Sequence, residues 1–170
     1  CLLSRGLGDV YKRQQLYKDK NYNAAYQEMD RLAKTGNAQA IYNQGFMSEL
    51  GQGTAQDSKK ALAAYQEASN KGYPVATYRL AQIYMAGELG VTKDEKKGRE
   101  YLEKASNAGL DEATVELAVL LFAENKDASN KLALQKLQPL INKNNYRAIH
   151  LKAIYAVSYT HLTLPTKRIV

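Results

Sequence analysis

The sequence predicts an all-α protein in which helix pairs repeat along the chain. Small residues recur at a nearly constant spacing. Four columns show this: Ala25, Ala61, Gly98 and Ala133; Gly36, Gly72, Gly109 and Asn144; Ala40, Ala76, Ala113 and Ala148; and Gly45, Ala81, Ala118 and Ala153. From Ala25 to Ala61, Gly98 and Ala133 the steps are 36, 37 and 35 residues. A period of this length is typical of a solenoid, in which each unit buries its apolar face by stacking on the next.

Each unit reads as two amphipathic helices, and the clearest copy covers residues 58–94. In its first half Ala61, Ala64, Tyr65 and Ala68 fall at helical spacing, and in its second half Ala76, Leu80, Ala81, Ile83 and Tyr84 do the same. Small residues in both halves allow close approach of two helix backbones. The larger side chains of one column fill the space between them: Met29, Tyr65, Leu102 and Leu137.

Two further columns predict where helices begin and end. Short polar residues that accept bonds from a first helical turn predict a start at Asn21, Asp57, Asp94 and Ser129. The column Gly36, Gly72, Gly109 and Asn144 predicts a stop, because Gly and Asn tolerate the left-handed conformation that ends a helix. The predicted helices are 22–34, 38–50, 58–70, 74–86, 95–107, 111–124 and 129–142, with a last one beginning near residue 145.

These positions resemble the Sel1-like repeat, a relative of the tetratricopeptide repeat. One copy of the motif is matched by Ala76, Leu80, Ala81, Tyr84, Gly87, Gly90, Val91 and Asp94. The preceding copy is matched by Ala40, Gly45, Gly51, Gly53, Asp57, Ala61, Tyr65, Ala68 and Gly72. The resemblance implies a right-handed α/α solenoid of antiparallel helix pairs, a Sel1-like or tetratricopeptide-like superhelix. The later copies depart from the motif, since residues 122–127 have no glycine pair and Pro139 falls inside a predicted helix.

Both ends of the chain resemble translated sequencing-library adapter. Residues 9–14 can be back-translated into a DNA element whose reverse complement, read one frame over, encodes residues 156–161. We therefore interpret residues 1–14 and 156–170 as adapter-derived tails that are not native. Residues 15–155 are interpreted as the repeat domain, a fragment of a longer array. The alternative is a natural basic arm at each end.

Without these ends the composition excludes several classes of function. They carry five basic residues and one acidic residue, so the net charge falls from +7 to +3, which argues against a nucleic-acid partner. No apolar run approaches the length of a membrane span, so membrane insertion is not expected. The one cysteine, Cys1, lies in the excluded part, so residues 15–155 have no thiol for a disulfide, a nucleophile or a metal site.

The sequence offers no catalytic, cofactor-binding or metal site. His150 is the only histidine of residues 15–155, and its column of Tyr42, Tyr78 and Val115 indicates a packing or groove position. The pair Gly51 and Gly53 follows a helix, whereas a phosphate loop follows a strand, and the repeat motif explains both glycines. We therefore expect a protein that is not an enzyme and has no cofactor.

The resemblance also implies a surface for a partner. In tetratricopeptide-like arrays the first helix of each pair lines the concave side, and the positions that would do so here are Tyr42, Phe46, Tyr78, Gln82, Val115, Val119, Phe122 and His150. These side chains form either an aromatic groove for a protein or peptide or an ordinary packing surface between repeats.

Two functions follow as hypotheses. The first is a noncatalytic scaffold that mediates protein–protein interaction, in a bacterial periplasmic or secreted setting, with the cytoplasm as the alternative. The second is a regulatory repeat module of a larger enzyme or signalling chain whose catalytic domain is missing. The sequence leaves the oligomeric state open.

Overall fold

The computed structural model describes residues 21–163, which contain eight α-helices and no strand. In chain order the helices are α1 Tyr22–Ala33, α2 Ala38–Leu50, α3 Ser58–Asn70, α4 Pro74–Ala86, α5 Glu95–Asn107, α6 Asp111–Ala123, α7 Asp127–Asn142 and α8 Tyr146–Thr163. The predicted all-α class is therefore confirmed. The helices belong to two compact units: the first ends at Tyr101 and the second begins at Leu102, within α5.

The predicted helix stops are confirmed by the backbone. Gly36, Gly72 and Gly109 have φ angles of +82°, +83° and +88°, and Asn144 takes φ +59° at the equivalent position. An L-residue with a branched side chain adopts this region only with strain, so the column is restricted to Gly and Asn by backbone geometry.

Three of the four predicted helix starts are confirmed. The side chains of Asn21, Asp57 and Asp94 accept bonds from the backbone amides three residues later, at 3.3, 3.0 and 2.9 Å. The predicted start at Ser129 is wrong.

Ser129 lies inside the first turn of α7, where its hydroxyl bonds to the Glu124 carboxylate. The cause is that the connection before α7 is shorter than the connections before α3 and α5. Residues 51–57 and 87–94 join earlier helices, but only residues 124–126 join α6 to α7. Asn125, with φ +51°, turns the chain early, so α7 begins at Asp127.

In the first unit, small residues let consecutive helices approach closely. A Cβ added at Gly45 of α2 would lie 2.9 Å from the Ala64 Cβ and 3.1 Å from the Tyr65 ring, both on α3. A Cβ added at Gly98 of α5 would lie 3.0 Å from the Ala81 carbonyl oxygen of α4. Such distances are below normal van der Waals contact, so the small columns are required by helix packing.

The predicted core column is buried in both units. The exposed fractions are 3% for Met29 and 0% for Tyr65, Leu102 and Leu137. In the second unit α7 and α8 pack on α6, with Leu117, Ala118 and Ala133 buried.

Ala153 of α8 departs from its column. Gly45, Ala81 and Ala118 are buried, whereas Ala153 is exposed, because none of the described residues packs over that face of α8.

A pair of buried hydroxyl groups recurs in the two units and was not anticipated from the sequence. Ser69 and Thr77 are hydrogen-bonded at 2.7 Å between α3 and α4, and Ser106 and Thr114 at 2.9 Å between α5 and α6. The Thr77 hydroxyl also donates to the backbone carbonyl of Tyr73, and the Thr114 hydroxyl donates to that of Leu110. The buried polar groups are thereby satisfied within each helix pair.

The last two helices are continuous, although their sequences depart from the repeat motif. α7 continues past Pro139 to Asn142, and Pro139 is exposed. α8 does not stop at Tyr155, where we expected the repeat domain to end, but extends to Thr163, because no proline or glycine occurs before Pro165. Residues 1–14 lie outside the described part of the chain.

Candidate protein-binding surface

The eight predicted partner-binding residues lie on the even-numbered helices. Tyr42 and Phe46 are on α2, Tyr78 and Gln82 on α4, Val115, Val119 and Phe122 on α6, and His150 on α8. The first four belong to the first unit and the last four to the second, and each set is described within its own unit.

In the first unit Tyr42 is a packing residue. Its ring lies 5.3 Å from the Tyr65 ring and 5.4 Å from the Tyr73 ring, and it is half-buried. Burial in these surroundings raises the pKa of the Tyr42 hydroxyl. The ring thus contributes to the interface between helices.

Phe46, by contrast, is 37% exposed although it is a large apolar side chain. It lies one turn along α2 from Tyr42 and immediately follows the buried Gly45. Tyr78 and Gln82, at the equivalent positions of α4, are half-buried.

An ionic network lies beside these residues, and the sequence analysis missed it. Glu49 of α2 accepts a hydrogen bond from the Tyr65 hydroxyl at 2.6 Å and forms an ion pair with Arg79 of α4. Arg79 also pairs with Glu88 at 2.9 Å. The side chains of Glu49 and Arg79 are only 16% and 20% exposed.

The pKa values follow from this arrangement. Burial and the bond to the Glu49 carboxylate both raise the pKa of Tyr65 well above its usual range. For Arg79, burial lowers the pKa, but the hydrogen bond and charge of Glu49 outweigh it, so the pKa is raised and the side chain stays cationic. Arg79 and Glu49 are 30 residues apart, so no local pattern indicated their contact.

In the second unit the predicted residues differ in exposure. Val119 is 46% exposed and His150 is exposed, whereas Val115 and Phe122 are half-buried. Phe122 is covered by Tyr155 of α8, with ring centroids 4.2 Å apart and planes inclined by 14°.

His150 lies on the solvent side of α8. Its ring is 6.3 Å from that of Tyr146, which is 74% exposed.

One residue of the second unit that shares a repeat column with these residues was omitted from the prediction. Ile154 occupies the column of Phe46, Gln82 and Val119, one position after the small column, and is 50% exposed. The repeat alignment contained the signal needed to include it.

The described residues contain no arrangement typical of a metal site or a membrane span. Within residues 21–163 no group of three or more His, Cys, Asp or Glu side chains is placed to hold a metal ion. In the same range no helix combines the length and apolar character needed to cross a bilayer.

The architecture of consecutive antiparallel helix pairs defines an α-helical repeat protein. The Sel1 repeat model matches residues 38–73 and 74–110, so this part of the chain consists of two Sel1 repeats. The resemblance inferred from the motif is confirmed. A search among curated protein sequences finds no match.

Two solved structures are similar to the chain. A Sel1 repeat protein from Oxalobacter formigenes is 23% identical with a TM-score of 0.66, over 75% of this chain and 37% of that one. A protective antigen of uropathogenic Escherichia coli that displays an SLR fold is 23% identical with a TM-score of 0.70, over 84% of this chain and 31% of that one. The chain therefore spans about a third of the length of the structures it matches, and the likeness concerns the fold.

Proposed function

We propose that the chain is a noncatalytic scaffold that binds another protein through exposed apolar side chains on the even-numbered helices of each unit. Sel1 repeats typically mediate protein interactions, which supports the general class. The observation that carries the particular surface is the exposure of apolar side chains in one repeat column, namely Phe46 at 37%, Val119 at 46% and Ile154 at 50%. Packing within a unit does not require these side chains to be apolar.

The residues proposed to contact a partner have different roles within each unit. Phe46 and Val119 are the anchors, because they are apolar and accessible. Tyr42, Tyr78, Gln82, Val115, Phe122 and His150 form their surroundings. Tyr42 and Phe122 contribute mainly by holding the backbone through their ring contacts with Tyr65 and Tyr155.

The setting we propose is a bacterial envelope or secreted one. The similar solved structures come from Oxalobacter formigenes and Escherichia coli, and the second is described as a protective antigen.

The proposal is tested by site-specific photo-crosslinking. A photoreactive phenylalanine analogue is placed at Phe46 or Val119 and, as matched controls, at Lys59 of α3 or Lys104 of α5, which are exposed on odd-numbered helices. In a bacterial periplasmic extract we expect a discrete crosslinked protein from the first two positions and none from the controls. The variants Phe46→Ser and Val119→Ser should abolish that product and leave the thermal midpoint within about 3 °C, since exposed side chains contribute little to stability.

Either of two results contradicts the proposal. Equal crosslinking from all four positions would mean that contact is nonspecific. A large loss of stability in Phe46→Ser or Val119→Ser would mean that these side chains are part of the core.

A further inference from the structure

Leu50, the last residue of α2, is a second exposed apolar residue beside Phe46. It is 48% exposed and lies one helical turn after Phe46, so both side chains project from the same face of the helix. Its repeat column continues with Ala86 and Ala123, so a methyl group is sufficient at this place in α4 and α6. Packing of the helix pairs therefore does not require a side chain as large as leucine, and Phe46 and Leu50 form an apolar pair that solvent can reach.

Two carboxylates lie beside this apolar pair and share one cation. The Nη2 atom of Arg79 contacts Glu49, which directly precedes Leu50, and it also contacts Glu88 from the loop after α4. Glu49 has a second partner in the Tyr65 hydroxyl. The apolar pair is thus bordered by a charged cluster that belongs to the same unit.

The cluster presents negative charge to solvent. Two carboxylates and one guanidinium leave one negative charge in excess at neutral pH. The side chains of Glu49 and Arg79 are only 16% and 20% exposed, whereas that of Glu88 is 45% exposed. A cationic side chain of a partner is therefore attracted toward Glu88, and an acidic one is repelled.

We propose that Phe46, Leu50 and Glu88 together bind a basic amphipathic helix of a partner protein. Phe46 and Leu50 are one helical turn apart, so a partner helix with apolar side chains at the same spacing matches them. A Lys or Arg at the edge of its apolar face pairs with Glu88. The apolar contacts supply most of the affinity, and the exposed ion pair supplies the preference for a basic partner. This inference rests on the protein-binding function proposed above and adds the chemistry of the partner.

The first measurement identifies the partner. The photoreactive phenylalanine analogue is placed at Leu50 and irradiated in the same periplasmic extract as the chain labelled at Phe46, and mass spectrometry identifies the product and the crosslinked segment. We expect the same protein from both positions, crosslinked through a helical segment that has Lys or Arg beside its apolar stripe. That protein is then purified, and its affinity for the full chain is measured.

Substitutions at Glu88 test the charge. Glu88→Gln should weaken binding of the purified partner by about threefold and Glu88→Lys by about tenfold, and both effects should shrink at high salt. The matched controls are Glu67→Gln and Glu67→Lys on α3, because Glu67 is 60% exposed and also pairs with one cation, Lys71. These controls should leave the affinity unchanged. Reversing the charge of the partner's Lys or Arg nearest the crosslink should restore binding to Glu88→Lys.

A substitution at Leu50 tests the apolar contact. Leu50→Ala installs the residue of its own repeat column, so the thermal midpoint should stay within about 3 °C of the wild type while the affinity falls about tenfold. Leu132→Ala on α7 is the control, since Leu132 is 41% exposed and lies on an odd-numbered helix. It should change neither quantity.

The outcomes distinguish this inference from the function on which it rests. No crosslinked product from Phe46 or Leu50 would contradict the protein-binding function and the inference with it. A product from Phe46 whose affinity is equal in the wild type, Glu88→Lys and Leu50→Ala would overturn only the inference. A crosslinked dimer of the chain, which would make a second copy the occupant, or a crosslinked segment that is acidic, would overturn it as well.

Discussion

Tyr65 shows how one residue joins the repeat pattern to a contact that is particular to this chain. Its ring fills the core column that Met29, Leu102 and Leu137 occupy elsewhere, but only tyrosine brings a hydroxyl, which donates to Glu49. Glu49 in turn pairs with Arg79, so both oxygens of a partly buried carboxylate have partners. The hydroxyl is therefore a local addition to a position whose general role is apolar.

The raised pKa of Tyr65 makes a prediction for alkaline pH. The folded state holds the proton more tightly than the unfolded chain, so its stabilising effect is complete below the unfolded pKa of about 10 and is lost as pH rises above it. Tyr65→Phe should lose about 1–3 kcal/mol at neutral pH, because Glu49 loses a donor. As the pH rises above about 10, the free energy of unfolding should then fall less in Tyr65→Phe than in the wild type.

The measurement is the urea midpoint from about pH 7 to about pH 11, across the usual titration of tyrosine. Tyr146→Phe is the control, since Tyr146 is 74% exposed and its hydroxyl should not affect the alkaline slope. Parallel curves for Tyr65→Phe and the wild type would show that the Tyr65 hydroxyl does not couple folding to pH.

At the scale of elements, the long loops after α2 and α4 are structural parts of the first unit. Each contains two glycines with positive φ, Gly51 and Gly53 in the first and Gly87 and Gly90 in the second. The second glycines of the two loops differ in their surroundings. A Cβ at Gly53 would lie 2.1 Å from the Tyr22 carbonyl oxygen at the start of α1, whereas a Cβ at Gly90 meets nothing within 4 Å.

Substitutions at Gly90 and Gly53 therefore distinguish the cost of backbone strain from the cost of a steric clash. Gly90→Ala should cost roughly 1 kcal/mol, since it adds a Cβ at positive φ without a clash. Gly53→Ala should cost more, by about 1–3 kcal/mol, because the loop must move away from α1. Chemical denaturation of both variants measures the two costs. Equal losses would mean that the loop containing Gly53 does not pack against α1 in solution.

At the scale of the whole molecule, the two parts of α8 before and after residue 155 differ in burial. Ala148 of α8 is buried against its unit, but the side chains of Ala156, Val157 and Ser158 are exposed. The backbone of α8 is continuous through residue 163, and no proline or glycine interrupts it.

We therefore expect a chain of residues 15–155 to melt within about 2 °C of the full chain, the shift that corresponds to less than 1 kcal/mol. A chain that ends at residue 145 is the control. It removes all of α8 and should lose much of the stability of the second unit. A large loss already in the chain of residues 15–155 would contradict the interpretation of the ends as non-native.

The sequence pattern was sufficient to predict the fold class, the column of buried residues formed by Met29, Tyr65, Leu102 and Leu137, and the ends of most helices. These features depend on local sequence, because helix periodicity, capping side chains and residues that tolerate positive φ act within a few positions. The start of α7 was misplaced because a shortened connection shifts a helix start without changing the residue in the column. Only the tertiary structure could bring Arg79 to Glu49 and leave Phe46 exposed beside a half-buried Tyr42. Each of these depends on side chains from different helices, and the burial of a residue is decided by what packs over it, which the sequence near that residue does not encode.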